Sequence, residues 1–292
     1  DGEILAESSS SDTVPLRVSA RELVAKFRYM GENEAVLAGP KEEVKVSTLD
    51  EDAELSTVEI PDIDYYITTY QEDIYFLSKT FRVQYEDVIK DLKKRYESSD
   101  FEFEQTNVGY LLTKKGKLKK YKSTLYGLVE YFYDYVESNP RKVNNKRVPY
   151  TGGAKYVENL IIYFTTRVYT NVDTVTALSI GASESGYYKV KYMLKSNNVY
   201  GGLNSKGLIK YRSIEYGVLS YVRMLSKNYY GKGLTTVSAI GKKYCPTYDD
   251  FGNKIASPHW VNLVSTAKKK YKKFNFDIET KDLLSEEELQ NL

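Results

Sequence analysis

Residues 171–188 read NVDTVTALSIGASESGYY. The run predicts one helix with both ends marked. Asp173 is an N-cap candidate, because a short carboxylate accepts the free backbone N–H groups of a first turn. The chain then stays apolar and small, with no proline to break it. Gly186 is the C-terminal stop, where a left-handed residue closes the last turn. Glu184 falls in that last turn, set among small residues. A helix C-terminus carries partial negative charge, which disfavours an ionised carboxylate. Apolar surroundings act in the same direction. Glu184 is therefore either a surface charge at a helix end or a buried acid with a raised pKa. The second is the property that a general acid needs near neutral pH.

The flanking stretches extend the helical reading. AKYVENLIIYFTTRVY (154–169) puts Val157, Leu160, Ile161, Phe164 and Val168 on one face. RSIEYGVLSYVRMLSKNYY (212–230) turns Ile214, Val218, Leu219, Val222 and Leu225 inward. LTTVSAIGKKYCP (234–246) is a short helix broken at Pro246, and HWVNLVSTAKKKYKKF (259–274) is a last amphipathic helix. Between them KSNNVYGGLNSKGLIKYRS (195–213) is rich in Asn and Gly, and predicts a small irregular sheet or hairpin. TYDDFGNKIASPHW (247–260) reads as a polar loop.

Upstream, TYQEDIYFLSKTF (69–81), YEDVIKDLKKRYE (85–97) and TLYGLVEYFYDYVESNP (124–140) are helical, the last stopped by Asn139-Pro140. SSDFEFEQTNVGYLLTKKGKLKK (98–120) alternates in places, as a hairpin or extended excursion with Lys-Gly at its turn. Four regions follow: an acidic arm or linker over 1–64, a helical accessory region over 65–150, a denser domain over 151–276, and an acidic, peripheral tail over 277–292. Within the arm, SARELVAKFRYM (19–30) predicts a short helix with Ser19 and Glu22 at capping-box spacing.

Helix–ESG–helix, then NNVYGGL, then YRSIE opening a helix, then AIGKKYCP and a Trp at the start of a final helix form an ordered set over residues 154–274. This set resembles the bacterial and phage peptidoglycan glucosaminidases, the mannosyl-glycoprotein endo-β-N-acetylglucosaminidase-like family (glycoside hydrolase family 73). The resemblance implies a mainly α (α+β), lysozyme-like catalytic domain whose small β-lobe forms one wall of a groove. It implies hydrolysis of the β-1,4 bond between N-acetylglucosamine and N-acetylmuramic acid, with Glu184 as general acid. Tyr244, in YCP, would bring its hydroxyl near the scissile bond, or serve as a core Tyr. Asn198, Tyr200 and Gly201 match the family's Asn-x-aromatic-Gly block: Asn198 would orient a loop, and Tyr200 would stack under a sugar or pack the β-lobe. This chain has GGL where the family commonly has GI. Trp260 packs the last helix or stacks on sugar.

Glycoside hydrolysis usually uses a second carboxylate. Glu215 in YRSIEYG is the leading candidate, to hold a water or stabilise positive charge at the sugar, and its alternative is a favourable partner for the helix dipole. Asp249 and Asp250 are others, and the substrate's own N-acetyl group can replace a protein nucleophile. A muramidase or lytic transglycosylase shares the fold and the single glutamate, but the Gly-Leu-Met-Gln-like block usual in those enzymes is absent here. A third reading is a non-catalytic, glycan-gripping component of a phage tail.

Composition bounds the rest. Residues 1–64 hold 16 acids and 6 bases, against 24 and 36 in the remainder, so a basic body follows an acidic arm. A basic body attracts polyanions, an anionic cell-wall polymer among them. The lysine runs 114–122 and 268–273 read as solvated surface, and without aromatics interleaved on one module they do not predict nucleic-acid binding. The 29 Tyr against 10 Phe and 1 Trp suit half-wet clefts and sugar faces, or replace Phe in the core. Cys245 is the single cysteine and reads as an inert thiol. The one histidine, His259, leaves no His-rich metal site and no Ser–His triad. No cofactor or metal is expected, and no apolar run reaches the roughly 18 residues of a membrane span. The start at Asp1, with no signal peptide, leads to the expectation of a processed product or a piece of a larger parent or virion assembly. The expected setting is extracellular, at the cell wall or on a phage tail.

Overall fold

A computed structural model describes residues 62–106, 109–114 and 123–292. Residues 1–61 of the arm predicted over 1–64, the predicted helix at 19–30 and the lysine-rich stretch 115–122 lie outside the described residues. The chain is mainly helical. Except for Gly109, the described residues belong to one compact unit spanning Leu55–Thr106 and Tyr110–Leu292.

The unit opens with α1 (Ile63–Thr69), α2 (Gln71–Phe81) and α3 (Tyr85–Glu97). α1 was not expected from the sequence. It is a seven-residue helix set off by Asp62, whose carboxylate accepts from the Tyr65 N–H at 2.7 Å. β1 (Phe101–Thr106) and β2 (Gly109–Lys114) form a two-stranded sheet, so the strands are joined by 107–108, ahead of the Lys-Gly pair. α4 (Thr124–Ser138) starts on the Ser123 hydroxyl and ends at Asn139-Pro140 as predicted.

α5 (Ala154–Tyr163) continues into a single π turn at Phe164–Val168. α6 (Thr174–Ser185) begins on the Asp173 carboxylate and ends on Gly186, whose φ of 58° is left-handed. It is buried almost all round, from Thr176 to Ala182 and again at Ser185. Such a helix needs small residues to let its neighbours approach, and TALSIGAS supplies them. A short α7 (Lys191–Lys195) leads to β3 (Leu203–Asn204) and β4 (Gly207–Leu208), an antiparallel hairpin of two residues a side. α8 (Ile214–Asn228) and α9 (Val237–Tyr244) follow. The predicted polar loop then contains a second antiparallel hairpin, β5 (Pro246–Tyr248) with β6 (Lys254–Ala256). α10 (Pro258–Tyr271) lies along α6, and α11 (Glu286–Gln290) ends the chain.

The helices on both sides of residue 150 share one buried core. Phe81 stacks on Phe132 at 5.2 Å and meets Tyr216 edge-on at 5.4 Å, and Phe76 meets Tyr163 at 5.3 Å. The Arg212 guanidinium donates to the Phe81 carbonyl at 3.1 Å, placing a cation at the negative C-terminal end of α2. The C-terminal segment is anchored rather than loose. Buried Asp73 on α2 accepts hydrogen bonds from Tyr163 on α5 (2.9 Å) and from Thr280. Lys79 pairs with Glu288 at 2.7 Å. Among the described residues no helix is long and apolar enough to cross a membrane.

Candidate active site

Glu184 sits at the end of α6 with its carboxylate half-buried. Oε1 accepts a hydrogen bond of 2.8 Å from Nε1 of Trp260, at the start of α10. Burial pushes the carboxyl above its usual pKa range, and the indole N–H opposes this more weakly. No lysine, arginine or histidine forms an ion pair with it among the described residues. The phenols of Tyr221 on α8 and Tyr244 on α9 both feel its charge, and burial holds both well above the ordinary tyrosine range.

Gly201 faces the other oxygen. Its φ of 71° is left-handed, and a Cβ there would lie 3.5 Å from Glu184 Oε2 and 4.0 Å from the Met193 Cε. Glycine gives the loop this left-handed turn without the strain a side chain would bring. Asn198, fully buried, shapes the same loop. Its amide donates to the Gly202 and Ile209 carbonyls, each at 3.0 Å, and its oxygen accepts from the Tyr200 N–H at 3.2 Å. Asn198 thus organises the loop.

Tyr200 turns into the protein. Its ring stacks on Tyr221 at 5.2 Å and its hydroxyl shares a 2.6 Å bond with Tyr211. These contacts belong to the packing of the β-lobe, and the residue is half-buried. Tyr244 donates its hydroxyl to the Tyr200 carbonyl at 2.8 Å, and its ring stacks on Trp260 at 5.4 Å. Its hydroxyl ties α9 to the glycine loop beside the acid. Trp260 is 5% exposed, so its indole is no open sugar platform. It reaches Glu184 because Gly241 lies against it: a Cβ at 241 would stand 2.8 Å from Trp260 Cζ3.

Glu215 has different neighbours. Buried in the first turn of α8, it accepts from the Tyr156 hydroxyl at 2.8 Å. Its charge also raises Tyr150, which burial and Glu215 together push up to about 12. Among the described residues the hydrogen-bond donors differ, Trp260 for Glu184 and Tyr156 for Glu215. Asp249 shapes the β5–β6 turn, accepting from the Phe251 and Asn253 N–H groups and the Asn253 amide. Those bonds hold its carboxyl below the usual range. Asp250 is exposed in the same turn, His259 is exposed at the start of α10, and Cys245 is a half-buried free thiol.

Sequence reading missed two features. Asn197, beside Asn198, is a second buried hub: it donates to the Val148 and Tyr211 carbonyls, each at 2.9 Å, and accepts from the Tyr150 N–H. The Asn-Asn doublet was the available signal. Trp260 as hydrogen-bond donor to Glu184 had none, beyond being the chain's single tryptophan. Away from Glu184, a cavity of about 240 Å³ lies between β2, α4 and α8, lined by Leu111, Leu112, Tyr131, Glu130 and Arg223 among others. None of the residues predicted from the sequence lines it. Compared with protein-family models, with curated proteins and with solved structures, the chain finds no match.

Proposed function

We propose that the chain is a peptidoglycan hydrolase with a lysozyme-like catalytic domain. It cleaves the β-1,4 bond between N-acetylglucosamine and N-acetylmuramic acid, with Glu184 protonating the glycosidic oxygen. One observation carries the reading. Glu184 is a half-buried carboxylate with no ion-paired cation among the described residues, held on one oxygen by Trp260 and faced by a glycine on the other. Burial favours its neutral form, the form from which a general acid acts. The ESG, NNVYGG and YCP motifs, 154–274 in order, support the substrate class.

Glu215, buried beside Tyr156, is the candidate second carboxylate. In a reaction without a second protein carboxylate, the substrate N-acetyl group serves as nucleophile, an arrangement known among glycosidases. A lytic transglycosylase, where a sugar hydroxyl closes on the cleaved carbon, is the second reading on the same glutamate. The basic surface of residues 65–292 would draw the enzyme to an anionic wall polymer, consistent with an extracellular or virion setting.

The test is digestion of Gram-positive peptidoglycan by the chain and by Glu184→Gln, with products reduced by borohydride and weighed. Reduced N-acetylglucosamine ends from the native chain alone are expected. Reduced N-acetylmuramic acid ends indicate a muramidase, and anhydro ends a transglycosylase. Binding without release by either chain overturns the enzyme reading in favour of a glycan-gripping structural domain.

A further inference from the structure

The bond between Trp260 and Glu184 has a consequence for where a proton sits. Indole Nε1 is a donor only. It is 2.8 Å from Oε1. A proton on Oε1 would compete with the indole hydrogen for the same space, so the neutral acid carries its proton on Oε2. Oε2 is the oxygen that faces Gly201. Trp260 cannot easily turn away, because Tyr244 stacks on its face and Gly241 lies against its six-membered ring. Tyr244 is fixed in turn by its bond to the Tyr200 carbonyl, and Gly201 is the next residue. Contacts therefore close a ring: Glu184, Trp260, Tyr244, Tyr200, Gly201 and back to Glu184.

We propose that Trp260 is a positioning residue for Glu184: by donating to Oε1 it confines the acid's proton to Oε2, the oxygen on the Gly201 side, and makes Oε2 the donor to the leaving oxygen of the glycan. This rests on the hydrolase reading for its last clause only. In the step, the Oε2–H bond breaks as the proton passes to the glycosidic oxygen, and Glu184 is left as a carboxylate. The indole N–H, already on Oε1, stabilises that carboxylate as it forms, which is the interaction a general acid gains from in the transition state. The titratable groups facing Glu184 are the phenols of Tyr221 from α8 and Tyr244 from α9. α10 presents Trp260, which does not titrate in the working range.

The test removes one hydrogen and leaves the shape. In the full chain, Trp260 is replaced by benzothienylalanine, which has sulfur in place of the indole N–H, and in a control by a ring-fluorinated tryptophan that keeps it. The Glu184 carboxyl is titrated by carbon-13 NMR, with its signal assigned from Glu184→Gln. Loss of a hydrogen bond to the charged form should raise its pKa by about one unit. The basic limb of the pH–rate profile should move up equally, with a fall in kcat larger than any change in KM. The fluorinated control should match the native chain. An unmoved carboxyl pKa in the sulfur analogue overturns the proposal and reduces Trp260 to packing. The NMR arm needs no turnover: a shifted carboxyl in a chain that releases no sugar would sink the hydrolase reading while the pairing stands.

Discussion

Gly241→Ala should destabilise the protein, although glycine to alanine in a helix ordinarily does the reverse. Gly241 is the fifth residue of the eight in α9. Intrinsic propensity alone would make alanine about 1 kcal/mol better there. The new Cβ, however, would stand 2.7 Å from the Ala256 Cβ and 2.8 and 3.0 Å from Cζ3 and Cε3 of Trp260. Carbon atoms rest at about 3.5–4.0 Å, so the indole must retreat by about 1 Å. Its 2.8 Å bond to Glu184 then exceeds the reach of a hydrogen bond. Overpacking costs about 1–3 kcal/mol, and the lost bond to a carboxyl group adds about 1 kcal/mol. Set against the propensity gain, a net loss of roughly 1–3 kcal/mol is expected. Denaturant midpoints at constant slope measure it. Fluorescence of the single tryptophan, excited where tyrosine does not absorb, reports whether the indole has moved. A stability gain near 1 kcal/mol with unchanged tryptophan emission would refute the packing argument.

Glu184→Gln should change how stability depends on pH. Between the ordinary carboxylate pKa and the raised one, the folded chain holds a proton that the unfolded chain has lost. Native stability contributed by this group is complete below the unfolded pKa and declines as pH rises through the folded one. Glutamine removes that decline, so the variant should gain on the native chain above this window and not below it, in urea midpoints taken across pH. Asn198→Ala strips two donors and one acceptor from half-buried backbone groups. A loss of about 2–4 kcal/mol is expected, with faster amide exchange over 199–209, and a loss under about 0.5 kcal/mol would mean that the loop holds itself. Thr280→Val removes a hydroxyl from buried Asp73 and should cost about 1 kcal/mol. Proteolysis should then reach the C-terminal segment sooner; unchanged cleavage would show that Leu283 and the Lys79–Glu288 pair anchor it without Thr280.

What the sequence determined by itself was local. Asp173 and Gly186 bound α6 where the residues place them, because a cap bonds to backbone within three or four residues of itself. The inward faces of α5 and α8 followed from spacing alone, since burial repeats with the helical turn. Elements too short or too polar to carry a period escaped: the seven residues of α1, and β5 and β6, three residues each and none of them buried. The tail escaped for another reason, because its anchor, Asp73, lies 207 residues away.

The candidate site divides in the same way. Glu184 stood out because a carboxylate among small apolar residues at a helix end is anomalous within its own turn. Its partners did not, since Trp260 is 76 residues distant and the Tyr244–Tyr200 bond spans 44. Glu215 was read as a second carboxylate from its place in the motif order, and its hydrogen-bond partner, Tyr156, lies 59 residues back on α5. Periodicity states that a side chain is buried, and caps state where a helix starts and stops. Neither states which other side chain it meets, because that depends on how helices far apart in the chain are laid against one another. Only the packed tertiary structure set Trp260 on one oxygen of Glu184 and a glycine beside the other.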